Sequence, residues 1–229
     1  MKTIPSYRLV LASASPRRRQ ILKDAGYSFE MADPGDAEEQ AAIAPTPDAL
    51  AMSKARAKAQ FVAAHLSPPF PALVIGVDTL VAVGNEVIGK PADRRDAVAI
   101  LTRLSGTRQR VISGICLWPL LAGAASGTAG IGSTELVEVL SAFKKATLRL
   151  EAASTCVTMR QMARTEIEAY VASGEADGKA GAYAVQETGD RFIEKIEGSF
   201  TNVVGFPLEL FQQMFAAAEE ELAEIVKKA

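Results

Sequence analysis

Apolar positions along this chain alternate between short continuous runs and helical spacings, and that alternation predicts its elements. Arg8–Ala12 (RLVLA) reads as a short buried strand. It runs into Ser13-Ala14-Ser15-Pro16, where serine before proline before a helical run marks an N-cap with proline at the first helical position; this helix ends at Gly26. Ser28–Ala32 is a second candidate strand, and Asp33–Gln40 reads as an acidic, mobile stretch. A second helix starts at Pro47 after Thr46 and is broken by the PPFP sequence near Pro68. Leu73–Val77 is continuously apolar, as in a strand buried on both faces, and Gly84-Asn85 predicts a hairpin between Val81 and Val87.

Downstream the pattern predicts a helix over Asp93–Leu104 and a strand over Arg110–Leu117. Residues 119–147 are the irregular piece: a Gly/Ala/Ser linker, then an amphipathic helical pattern over Ser133–Ala146. Strand-like sequence resumes at Leu148. Thr165-x-x-Glu168 reads as a capping box for a helix ending near Gly174. Two strands, Tyr183–Gln186 and Phe192–Ile196, precede a long C-terminal helix from Pro207. Strands alternating with helices predict an α/β architecture, and no internal repeat is evident.

Composition narrows the function class. At 229 residues, 48% apolar and 23% charged, the chain suits a globular enzyme rather than a disordered segment. A formal net charge of −2 offers no global attraction to a nucleic-acid backbone, so any anion site must be local. Cys116 and Cys156 lack metal-ligand spacing and read as buried, reduced thiols. The single histidine, His65, falls at a helix end, which weakens any Ser-His-Asp or histidine–metal proposal. The opening MKTIPSYR has no apolar signal core, and the apolar run Ile115–Ala125 is short and contains a proline. The expectation is a cytoplasmic protein with no membrane partner.

Four stretches carry candidate chemistry. In Ser13-x-Ser15-Pro16-Arg17-Arg18-Arg19, three arginines open a helix whose dipole already makes that end positive. A bound polyanion would reverse the sign of that cost; a solvated basic helix start or a Ser-Pro phosphorylation site is the plain alternative. Gly76-Val77-Asp78-Thr79 ends the most apolar strand, where a carboxylate can bind a divalent metal or accept a proton from water, or simply turn the chain. Gly89-Lys90-Pro91 holds a lysine on a fixed backbone, either to steady a leaving pyrophosphate or as a surface turn. The small-residue stretch Gly178–Gln186 would let backbone approach a ligand, with the Gln186 amide facing a base edge or a water; a Gly-rich connection is the alternative.

In conjunction these stretches are similar to the Maf family of nucleotide pyrophosphatases. The matching signatures are LASASPRR (Leu11–Arg18), LAMSKARA (Leu50–Ala57), GVDTLV (Gly76–Val81), GKP (Gly89–Pro91) and LSG (Leu104–Gly106). EIEAYVASGE (Glu166–Glu175), GKAGAYAVQ (Gly178–Gln186) and IEGSFTNVVGFPL (Ile196–Leu208) complete the order. The resemblance implies one Maf-like domain over residues 1–229. Its expected fold is a mixed twisted sheet flanked by helices, with two lobes around a cleft, like inosine triphosphate pyrophosphatases. It implies hydrolysis of a nucleoside triphosphate to monophosphate and pyrophosphate with a divalent cation, Mg²⁺ or Mn²⁺, and a homodimer. Asp78 is implied as general base or metal-side carboxylate, with Lys90 as the second catalytic group. Arg17, Thr79 and Gln186 match positions linked to substrate choice, and Ser13, Ser15, Arg18, Lys54 and Lys90 match positions lining the phosphate site.

The wording AGAYAVQ and EGSFTNVVG resembles the branch preferring dTTP and UTP rather than the one acting on 7-methyl-GTP. The alternatives are a purine-directed pyrophosphatase for inosine or xanthosine triphosphate, or a nucleotide-binding regulator of cell division without turnover. Two departures stand out. The family's adjacent Asp-Glu is here Asp36-Ala37-Glu38-Glu39, so either glutamate, Glu38 first, is the candidate second metal carboxylate. Residues at about 120–147 look like an insertion, tolerable in a surface loop.

Overall fold

The computed structural model describes residues 7–41, 43–66, 71–120, 147–186 and 188–228. The PPFP break and the amphipathic pattern over Ser133–Ala146, with nearly all of the expected insertion, lie outside the described residues.

The described strands are β1 (Arg8–Ala12), β2 (Glu30–Ala32), β3 (Ala72–Val83), β4 (Glu86–Ile88), β5 (Arg108–Leu120), β6 (Arg149–Met159) and β7 (Ile193–Glu197). They form one mixed sheet in the order β2-β1-β3-β5-β6-β7, with β4 also paired to β3. The β2–β1–β3 pairings are parallel and the others antiparallel. The helices are α1 (Pro16–Asp24), α2 (Pro47–His65), α3 (Arg94–Leu104), α4 (Arg164–Ala172), α5 (Phe200–Val204) and α6 (Leu208–Lys228). This is the mixed α/β sheet flanked by helices that the sequence predicts.

Local chemistry explains the boundaries. Ser15, Thr46 and Asp93 cap α1, α2 and α3 by accepting the N–H of the residue three positions on, and Pro16 and Pro47 occupy first-turn positions. His65 is the last residue of α2. The Gly84-Asn85 hairpin forms as predicted, with Gly84 at φ 59°. Two sequence expectations give way. The helix after residue 160 starts at Arg164, and Glu166 rather than Glu168 caps it, accepting the Ala163 N–H at 2.9 Å. Tyr183–Gln186 is not a strand: it follows a 3₁₀ turn, Ala180–Ala182, in which Gly181 and Ala182 have positive φ. Tyr183 itself is extended, but among the described residues no strand pairs with this stretch.

Strand β3 is the organising element, and its period of two sorts side chains between the sheet faces. Leu73, Ile75 and Val77 join Leu9, Leu11 and Leu22 against Phe206, Phe211 and Met214, on the face covered by α1 and α6. Val74 and Gly76 face α2 instead. There the contact is backbone to backbone: a Cβ on Gly76 would lie 2.1 Å from Ala55 O, and one on Gly114 would lie 2.2 Å from Ala51 O. Ala51, Ala55 and Ala59 recur every fourth residue on the helix face that meets these glycines. A third cluster, including Val81, Ile88, Leu101, Val111, Tyr170 and Phe192, packs α3 and α4 around the other half of the sheet. The midpoint of β3 therefore falls between the clusters.

Candidate active site

Asp78 and Thr79 sit at that midpoint, not at a strand end as the apolar run suggested, because pairing with β5 carries β3 on to Ala82 and pairing with β4 to Val83. Being consecutive, they point to opposite faces. Asp78 points toward α2 and accepts a hydrogen bond from Lys58 Nζ at 2.7 Å through Oδ1. Its other oxygen, Oδ2, is buried and has no hydrogen-bond partner among the described residues. Thr79 points toward α1, within hydrogen-bond distance of Ser113 Oγ, and donates to Gly205 O at 3.2 Å.

Lys58 is the residue the sequence reading missed. It is 6% exposed, and its ammonium touches both Asp78 Oδ1 and Glu38 Oε2. Glu38 lies on a 3₁₀ turn, Ala37–Gln40, so the stretch expected to be mobile is anchored at this point. Lys90 Nζ approaches the other Glu38 oxygen at 3.7 Å. Burial alone would raise the Glu38 pKa; the Lys58 ammonium, helped by Lys90 and Lys54, brings it below the ordinary value. Of the two candidate glutamates, Glu38 makes these contacts, whereas Glu39 is exposed at the cleft edge. A signal for Lys58 was present: it lies on the turn of α2 that carries Ala55 and Ala59 onto the sheet, one turn after Lys54.

Nine of the expected residues line a single cleft of about 470 Å³: Ser15, Arg17, Arg18, Glu38, Lys54, Asp78, Thr79, Lys90 and Gln186. Ser13 is the exception. It is 3% exposed and lies beneath the cleft, its Oγ accepting from Ser15 N at 3.1 Å and from Arg18 Nη1 at 3.3 Å. The two ends of the cleft differ in anchoring. Gln186 is exposed and sits past the 3₁₀ turn, beside Lys179 and Val185.

Arg18 is in the cleft wall, yet most of its donors are already used. Nε donates to Gly205 O at 2.8 Å, Nη1 to Val77 O at 2.9 Å and to Ser13, and Nη2 to Thr79 Oγ1 at 3.2 Å. Four of a guanidinium's five N–H donors thus tie α1, β3 and the turn after α5 together, leaving one for a ligand. Burial lowers the Arg18 pKa, and Asp78 and Glu38 offset part of that. Arg17 extends into the cleft from the same turn, while Arg19 faces solvent. Asn202, part of the IEGSFTNVVG motif, is fully buried and donates to Val111 O and Thr155 Oγ1, each at 3.0 Å; it braces the wall instead of lining the cleft.

The lining counts six basic side chains, Arg17, Arg18, Lys54, Lys58, Lys90 and Lys179, against three carboxylates, Glu38, Glu39 and Asp78. A cleft so charged attracts a multivalent anion although the whole chain is slightly acidic. Among the described residues no three His, Cys, Asp or Glu side chains form a group that could hold a metal ion by themselves. Cys116 is buried, its thiol pushed up to about 12 by desolvation, and Cys156 is partly buried. No described helix is long and apolar enough to cross a membrane.

Comparison with known proteins gives a consistent result. The Maf-like protein family model matches residues 8–218. A dTTP/UTP pyrophosphatase of Deinococcus radiodurans is 35% identical over 211 residues, covering 92% of this chain and 93% of the relative. The dTTP/UTP pyrophosphatase of Mesorhizobium japonicum is 39% identical over 204 residues, 88% of this chain and 86% of its own. That of Vibrio cholerae is 38% identical over 205 residues, covering 88% and 92%.

Proposed function

The chain belongs to the Maf-like protein family, and from that premise we propose that it hydrolyses nucleoside triphosphates, dTTP and UTP foremost, to the monophosphate and pyrophosphate. The observation that carries this reading is a buried carboxylate with one oxygen, Asp78 Oδ2, unpartnered among the described residues, in a cleft whose charged groups are mostly cations. The match with pyrophosphatases over most of the chain supplies the substrate class.

The triphosphate lies along the start of α1, where Ser15, Arg17 and the remaining Arg18 donor meet it, with Lys54 and Lys90 across the cleft. Ser13 acts indirectly, by holding Ser15 and Arg18 in place. Water attacks the α-phosphorus. The bond from that phosphorus to the bridging oxygen breaks, and pyrophosphate leaves with the electron pair. Asp78 receives the water's proton or holds the metal-side position; either role uses its unpartnered oxygen. Lys90, on the exposed rim, steadies the charge that develops on the leaving group. Thr79 and Gln186, with Arg17, contact the nucleoside end and set which base is accepted.

Asp78 and Glu38 fit a divalent cation, Mg²⁺ or Mn²⁺, because a buried, unpaired carboxylate oxygen beside a second carboxylate is a hard-oxygen donor pair. Held there by Asp78 and Glu38, such an ion would supply neutralisation of phosphate charge.

The test is pyrophosphate release from a panel of pyrimidine and purine nucleoside triphosphates with each metal, for the native protein and Asp78→Asn. The expected result is turnover of dTTP and UTP, reduced about 10²–10⁴-fold in the variant. Turnover of a purine in their place would overturn the specificity. Nucleotide binding without turnover would point to the regulator instead.

A further inference from the structure

Lys58 occupies the position that a divalent cation would be expected to share. Its ammonium lies between Asp78 and Glu38, the two carboxylates a metal would use, and is itself 6% exposed. Two carboxylates brought this close and shielded from water repel strongly unless a cation lies between them. Lys58 supplies that cation covalently. It reaches the pair because Ala55 and Ala59, on the adjoining turns of α2, are pressed onto the backbone at Gly76. The helix therefore has little freedom to withdraw it.

The rest of the wall acts in the same direction. Six basic groups against three carboxylates leave the cleft positive, so a bare divalent cation meets repulsion from Arg17, Lys54 and Lys90 as well as from Lys58. A metal complexed to a triphosphate carries net negative charge and meets attraction instead.

We propose that Lys58 is the resident counter-ion of the Glu38–Asp78 pair, excluding a free divalent cation so that metal enters the cleft only as its complex with the triphosphate. The proposal rests on the metal-dependent reading given above. It makes Lys58 a positioning residue, acting through the two carboxylates. It also gives a reason for the unpartnered Asp78 Oδ2: Lys58 holds Oδ1, and the second oxygen stays available to the incoming complex.

The experiment follows free Mn²⁺ by electron paramagnetic resonance. The native protein, Lys58→Met and Lys58→Arg are titrated without nucleotide and again with a non-hydrolysable triphosphate analogue. Without nucleotide, Lys58→Met is expected to bind Mn²⁺ about tenfold or more tightly than the native chain, because the competing charge is gone. Lys58→Arg, which keeps the charge, is expected to match the native chain. With the analogue added, the native protein should remove far more free Mn²⁺ than the analogue alone and the protein alone do together. Equal or weaker Mn²⁺ binding by folded Lys58→Met would overturn the proposal, since it would make the lysine a clamp that organises the metal ligands. If Lys58→Met does not fold, the native titrations decide, each corrected for the Mn²⁺ that the analogue alone removes from solution: equal protein-bound Mn²⁺ with and without the analogue overturns the idea, and a strong dependence on the analogue supports it. These readings need no turnover. Failure of the pyrophosphatase assignment, seen only in product release, is therefore distinguishable from failure of this one.

Discussion

The two faces of the sheet are packed by opposite means. On the face covered by α1 and α6, contact is made by large side chains: Phe206 and Phe211 are fully buried, with ring centroids 5.4 Å apart, and Tyr27 packs edge-on against Phe211 at 5.1 Å. On the face covered by α2, Gly76 and Gly114 admit the helix backbone itself, with Ala51, Ala55 and Ala59 facing them. The bulky face buries more apolar surface and so contributes more to stability. At Gly76 and Gly114, on the small-residue face, no side chain lies between α2 and the sheet, so these two contacts fix where α2 lies to within the tolerance of backbone contact. That is the face on which Lys58 meets Asp78. Stability and positioning are thus divided between the two sides of one strand.

The first way to break this comparison is Phe211→Ala. Truncating a fully buried ring should cost about 3–5 kcal/mol, the largest loss of stability expected here. The division of labour further requires that kcat, measured well below the melting temperature, stay close to native. A large fall in kcat would mean that the aromatic face also holds the site.

Gly114→Ala makes the opposite demand. The added methyl would lie 2.2 Å from Ala51 O and 2.5 Å from Met52 N, so α2 must lift off β5. Overpacking of this kind costs about 1–3 kcal/mol, less than the loss of the ring. Lys54 and Lys58 move with the helix, and displacement of the order of 1 Å at a reacting centre can cost about 10²-fold in rate. The expected result, from paired melting and kinetic measurements, is a variant more stable than Phe211→Ala but much less active. If the two variants ranked in the same order for stability and activity, the distinction between the faces would be lost.

The sequence reveals the bulky face more readily than the small one. RLVLA and the continuous apolar run of Leu73–Val77 point to buried strands, and the cap at Ser15 and the helix starts at Pro47 and Asp93 match their helices to within a residue. Side-chain hydrophobicity is what a periodicity reading detects, and a glycine or alanine that makes a close contact contributes little to it. For that reason nothing in the apolar pattern of α2 marks Lys58, while the polar pair Asp78-Thr79 interrupts the apolar run of β3, which continues to Val83. Residues within contiguous motifs, such as Asp78 and Lys90, were recognisable because their neighbours are distinctive. Arg18 was recognisable as a cleft residue, but not as a structural tie, because its partners at Val77, Thr79 and Gly205 are far away in sequence.

The smallest effect expected lies outside both faces, at the start of α4. Glu166 accepts from Arg160 Nη2 at 2.7 Å and from the Ala163 N–H, and these bonds lower its carboxyl pKa from 4.5 to about 2. A depressed folded-state value means that ionised Glu166 favours the folded chain. Its contribution is complete above about pH 4.5 and is lost as the pH falls through about 2. The pair is solvent-exposed, so water and salt screen it and the gain is modest. Glu166→Gln should therefore melt slightly below the native protein at pH 7, and the two melting curves should converge as the pH is lowered from 4.5 toward 2. Because neither sheet face is touched, kcat should be unchanged at every pH where both proteins are folded. A melting-temperature gap that persisted at pH 2 would mean that Glu166 stabilises α4 by packing or neutral capping rather than by its charge. A change in kcat would instead make α4 part of the machinery that positions the cleft, and the two-face comparison would need a third region.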